Sequence, residues 1–207
     1  MQNGDNTMSD KKKALRISKI VRVVTIAPIM ALILLIYLFV KKPEIYSGTV
    51  HFILAMLFLT LMPVSAYPLQ RFVPPFRDKG RDGQRTFAII MAVIGYICGI
   101  FSTLFFHATK SLLIIYLTYL ISGLGVALIN KLTPIRASGH ACGIVGFVAL
   151  LVFFAGPWGL LGLGFYAAAF VSSLFMERHT IREFIVGSFI PIIGFALSYF
   201  LSSAVRL

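Results

Sequence analysis

The 207-residue chain is predicted to be all-α, a polytopic transmembrane helical bundle of about seven spans. Three observations predict it. Residues of the AVILMFWYC set make up 58% of the chain and charged residues only 13%, against about 25% in an average soluble domain. The apolar residues fall in long charge-free runs, not in short alternating segments, which excludes a β-barrel. Nineteen basic residues face seven acidic ones, a formal charge of +12, and the basic ones gather between the runs. So little polar surface could not cover a soluble core of this size. High hydrophobicity excludes disorder. Cys98 and Cys142 lie in apolar surroundings and form neither a disulfide framework nor a metal site. Basic residues that flank apolar spans set membrane orientation, so the charge predicts no nucleic-acid partner.

Residues 1–10 are polar and are expected to lack regular structure. The segment 1–22 reads as a basic N-terminal tail, and 23–207 as a single transmembrane domain. A crossing needs about 20 apolar residues for roughly 30 Å of hydrocarbon. Residues 23–40, 45–70, 86–109, 111–130 and 184–205 carry no charge, and each fits one crossing. Residues 137–176 also carry no charge, but at 40 residues they are long enough for two. Gly156-Pro157-Trp158-Gly159 lies at the midpoint, where Pro and Gly favour a turn and Trp favours the interface. The first run follows Lys11, Lys12, Lys13, Arg16, Lys19 and Arg22. It is too long for a signal-peptide core and has no clear cleavage site, so it reads as an uncleaved anchor.

Seven spans place the two termini on opposite sides. The N-terminal side then holds fifteen basic residues, including Arg71, Arg77, Lys79, Arg81, Arg85, Lys131, Arg136, Arg178 and Arg182. The other side holds four: Lys41, Lys42, Lys110 and Arg206. The positive-inside rule makes the first side cytoplasmic.

His51 and His107 lie near span ends on the poorer side and read as interfacial. His140 and His179 both stand at helix starts on the basic side. In Lys131-Leu-Thr-Pro-Ile-Arg136-Ala-Ser138-Gly139-His140, Pro134 ends one helix and Ser138 is placed as the N-cap of the next. A helix start with Ser138 and Gly139 also lets backbone N–H groups approach an anion. Gly139 and Gly143 form a small-residue face for close packing, within the chain or between copies in a homo-oligomer. In Glu177-Arg178-His179-Thr180-Ile181-Arg182-Glu183, His179 and Glu183 share a helical face. Thr180 and Glu183 also read as a capping box, so two roles compete for one carboxylate. His, carboxylate, Ser and Arg at two helix starts on one face suit phosphoryl transfer. No paired carboxylates suggest a metal.

At these residues the chain resembles the type 2 phosphatidic acid phosphatase superfamily of integral-membrane phosphatases. Its pattern is K-x6-R-P, then P-S-G-H, then S-R-x5-H-x3-D. Ser138-Gly139-His140 matches the second motif, with Ala137 in place of Pro. His179 matches the third-motif His, and Glu183 stands where the family has Asp. A helical hairpin separates the two, and the likeness covers roughly residues 111–205. The resemblance implies that His179 attacks phosphorus, that Glu183 orients it, and that His140 acts as general acid and then base. It implies phosphate binding by Ser138 and Gly139. Lys131 and Arg136 form a compressed first motif, or Lys79 and Arg85 serve instead. The third-motif Arg falls at Ser173; Arg178 or Arg182 stands nearest in sequence to replace it. The family has six spans, and one more before the conserved half turns the site to the cytoplasm.

The expected activity is metal- and cofactor-independent hydrolysis of a membrane lipid phosphate, phosphatidate-like or polyprenyl, in the cell membrane. The alternative is a catalytically inactive relative that binds phospholipid headgroups or partner helices, which Ser173 favours. A small transporter is a third reading, but the span interiors carry no acidic relay residue.

Overall fold

A computed structural model describes the backbone of residues 2–205 and the side chains of residues 10–205. Arg206, counted above on the poorer side, lies outside the described residues. All regular structure among the described residues is helical. We number α1 Gln2–Val24, α2 Ala27–Lys41, α3 Thr49–Phe72, α4 Gly80–Phe105, α5 Lys110–Leu132, α6 Gly139–Ala155, α7 Leu163–Phe175 and α8 Ile181–Ala204. Residues 1–10, expected without regular structure, instead carry α1 back to Gln2. The segment has no proline to stop a helix.

Five segments are long and apolar enough to cross a membrane: α3, α4, α5, the stretch Gly139–Phe175, and α8. The pair α1 and α2, bent by 57° at its break, makes a sixth at most. This count differs from the expected seven at two places. Helix α2 has 15 residues, about 22 Å of helix, and is short for a crossing by itself. Gly139–Phe175 is a single apolar stretch by length and composition. Within it the chain nevertheless turns back at the 3-10 segment Gly156–Gly162. Gly156 has φ +67°, a left-handed conformation that suits glycine. A Cβ at Gly159 would lie 2.6 Å from the Leu151 carbonyl carbon, and one at Gly162 would lie 2.9 Å from Val148. Phe147 and Phe165 then meet edge to face at 6.2 Å. These pairings make α6 and α7 an antiparallel hairpin.

The core centres on α2. Met30, Ala31, Leu34, Leu35 and Leu38 are all fully buried, and they recur at the spacing of one helical stripe. They pack with Ile115 and Tyr116 of α5 and with Ile144 and Phe147 of α6. Tyr116 lies against Gly99 of α4, where any side chain would overlap the ring. Outward-facing side chains include Phe101, Trp158, Leu161 and Phe200, each at least 68% exposed. An apolar outer surface of this kind suits a lipid environment better than water.

The molecule has two distinct ends. At one end the Thr109 hydroxyl donates to the Ile45 carbonyl, and His51 stands edge to face with Phe106. At the other, Arg22, Arg81, Arg85, Arg136 and Arg178 come within electrostatic reach of one another. This second end carries the candidate site.

Candidate active site

Four helix ends meet at the basic end. Pro28 has no N–H to donate to the Val24 carbonyl, which favours a break, and Ile26 turns extended there. Thr25 sits at this corner, its hydroxyl donating to the Val21 carbonyl at 2.7 Å. Its oxygen also lies 2.7 Å from His140 Nε2. With its one proton on Val21, Thr25 can only accept from His140, so Nε2 carries a proton and Nδ1 is left for other partners.

The start of α6 is tied to the start of α8. The Ser138 N–H donates to the Glu183 carbonyl at 3.0 Å. Gly187 packs directly on the Ser138 backbone, where a Cβ would lie 2.9 Å from its nitrogen. Ser138 is fully buried, and its hydroxyl accepts from the Ala141 N–H at 3.3 Å. Its side chain is therefore the helix cap, and Ser138 itself does not line the cavity described below. Gly139, the next residue, is exposed and lines the cavity.

His179 lies in the short link before α8, and its Nδ1 lies 3.3 Å from Glu183 Oε2. The same Oε2 accepts from the Thr180 N–H at 2.9 Å, and the Glu183 N–H donates back to Thr180 Oγ1. The two roles foreseen for Glu183 do not exclude each other. One oxygen carries both, with the cap the shorter bond. Nδ1–H donating to the carboxylate leaves Nε2 as the free nitrogen. Burial pulls the His179 imidazole below its ordinary range. The Glu183 hydrogen bond and charge push back, and the Arg22 and Arg136 charges pull the same way as burial.

His140 and His179 line one cavity of about 670 Å³. Its mouth carries four basic side chains, Arg22, Arg85, Lys131 and Arg136, against a single acidic one, Asp82. Asp82 lies 3.9 Å from Arg85. The body of the cavity runs between α4 and α5 and is walled by Ala92, Tyr96, Tyr119, Val126 and Gly146. The excess of cations over carboxylates suits an anion and repels a divalent metal ion. Among the described residues no group of three or more His, Cys, Asp or Glu is placed to hold a metal.

Lys131, Arg136 and Arg85 thus share the mouth, so both residues of one version of the first motif line the cavity and the arginine of the other joins them. Lys79 does not line the cavity, nor do Arg178 and Arg182. Arg22 was missed by sequence reasoning. Its guanidinium Nη1 donates to Ser173 Oγ at 3.1 Å, across 151 positions of sequence. Ser173 is where the resembled motif has its arginine. The only local signal was that Arg22 is the last basic residue before the first apolar run. Comparison with family models, with curated proteins and with solved structures finds no match to this chain.

Proposed function

We propose that the chain is a metal-independent phosphohydrolase of membrane lipid phosphates and a divergent relative of the type 2 phosphatidic acid phosphatases. One observation carries the reading: a carboxylate-held imidazole and a second imidazole line one cavity with a cationic mouth and an apolar body. In the proposed reaction His179 Nε2 attacks phosphorus and the bond from phosphorus to the lipid oxygen breaks. His140 in its imidazolium form, with Nε2–H held by Thr25, gives that oxygen its Nδ1 proton, and the lipid alcohol leaves. Water then attacks the phosphohistidine, its proton passing to His140, and inorganic phosphate is released with His179 restored. Arg and Lys at the mouth stabilise the charge on the phosphoryl oxygens, which is the largest electrostatic contribution. The apolar body accepts part of an acyl or prenyl chain.

The membrane arrangement belongs to the same proposal. Helices α2 to α8 make seven crossings, with the hairpin α6–α7 counting as two. The basic end is cytoplasmic, supported by the split of fifteen basic residues to four, and the membrane is the cell membrane. A second reading, headgroup binding without turnover, is favoured by Thr25 holding His140 Nε2.

The test is phosphate release from dioctanoyl phosphatidate by the purified chain in detergent, with chelator present. Turnover by the wild type that is lost in His179→Ala supports hydrolysis. Lipid binding with no phosphate released supports the second reading. Neither binding nor release overturns both.

A further inference from the structure

We propose that Arg22, carried by the N-terminal helix, binds the phosphoryl oxygens in this cavity, and that Ser173 positions it. The inference rests on the phosphohydrolase reading and assigns it a group from outside the segment 131–183.

Arg22 is half-buried, and among the described residues no carboxylate stands within ion-pair distance of it. A guanidinium withdrawn from water without a counter-charge is costly unless an anion reaches it. Among the described residues the side chain it meets in a hydrogen bond is the neutral Ser173, which is fully buried near the end of α7. One donor of a five-donor fork is thereby fixed, which leaves the others for a ligand. Arg22 lines the same cavity as both imidazoles. Its positive charge bears on His140 and on His179. No other charged side chain at the mouth is held by a buried group: Lys131 and Arg136 are exposed, and exposed Arg85 has the Asp82 carboxylate nearby.

The local geometry makes Arg22 part of the wall and not a side chain passing by. Arg22 and Thr25 are three residues apart, so they share a helical face. Arg22 reaches α7 at Ser173, and Thr25 reaches α6 at His140. The last turn of α1 is thus fixed at two points to the two arms of the hairpin. The 57° bend that follows keeps this turn at the cavity mouth and sends α2 into the core. Arg22 would bind phosphoryl oxygens in the ground state and hold them as charge builds on them during attack.

The experiment uses the full chain with Arg22→Gln, Arg22→Lys, Ser173→Ala and the double variant Arg22→Gln/Ser173→Arg. Two readouts are taken: dioctanoyl phosphatidate hydrolysis, and protection against thermal unfolding by inorganic phosphate. Arg22→Gln is expected to lower kcat/KM about a hundredfold and to abolish the phosphate-induced rise in Tm. Arg22→Lys keeps the charge but loses the fork, and should fall between Gln and wild type. Ser173→Ala should raise KM with little change in kcat, because the guanidinium stays but is less well held. The double variant returns a guanidinium to the same spot from the opposite wall, and should recover part of the phosphate protection. That recovery also shows that loss in Arg22→Gln is not misfolding. Wild-type turnover with unchanged kinetics and unchanged phosphate protection in Arg22→Gln would overturn the Arg22 assignment alone. Absence of turnover and of phosphate protection in the wild type would overturn the phosphohydrolase reading with it.

Discussion

At His179 burial and one Glu183 carboxylate oxygen act in opposite directions on the imidazole. Burial lowers the imidazole's affinity for a proton, and Glu183 partly restores it. A lowered value keeps the free nitrogen unprotonated to more acidic pH, so the acid limb of the kcat/KM profile should lie below the ordinary histidine range. Glu183→Gln removes an influence that raises the value, so the limb should move further down in pH. The amide oxygen can still accept from Nδ1–H, and we expect activation free energy to rise by about 1.4 kcal/mol, a roughly tenfold slower rate. A limb that moves up in pH would mean that the carboxylate does not act on His179. His179→Ala should lower turnover by about 10⁴-fold or more, since the group that forms the covalent bond is gone. At His140 the Thr25 contact adds a further test. Thr25→Val removes the acceptor for Nε2–H, and should lower kcat more than it raises KM.

At the scale of elements the site depends on how two helix starts are held together. The Ser138 N–H to Glu183 carbonyl bond and the Gly187 contact fix α6 against α8. Gly187→Ala would drive a methyl group into the Ser138 backbone. We expect destabilisation of about 1–3 kcal/mol, read as a lower Tm, together with a fall in turnover because His140 and His179 separate. Equal activity and equal Tm would show that the contact yields freely. Much of this level was legible in the sequence. Charge-free runs located α3, α4, α5 and α8 because a membrane-crossing segment excludes charge. Thr180 and Glu183 announced their cap because a capping box is local. Ser138 was legible as a cap, and its hydroxyl accepts from the Ala141 N–H as that reading expects. Arg22 and Thr25 were not legible. Each depends on a packing contact between distant segments, and hydropathy has no memory of which helix lies beside which. The break in the first helix was also hidden, since one proline near an apolar run permits a kink without requiring it.

At the scale of the whole molecule the basic and the neutral ends are separated by the length of the bundle. If the basic end faces the cytoplasm, single cysteines placed at Arg136 or Arg178 should resist an impermeant reagent added outside intact cells. A cysteine at Lys110 should react with it. The background for this test replaces Cys98 and Cys142 with alanine. Labelling at 136 or 178 from outside would invert the orientation and move the site to the other face. The same end explains why a net charge of +12 is tolerable. The cations spread over a rim wetted by water and anionic headgroups, where a Debye length of about 8 Å screens them from one another.

The contact between Arg22 and Ser173 joins positions 151 residues apart, and that separation sets an order of events. During synthesis Arg22 leaves the ribosome 151 residues before Ser173. A chain halted anywhere before α7 has a mouth with one wall absent, however well its early helices have inserted. Its basic helix meanwhile has no Ser173 to hold it. Completion of the hairpin then supplies that residue. Every partly made copy therefore lacks the Arg22–Ser173 contact until α7 has been made.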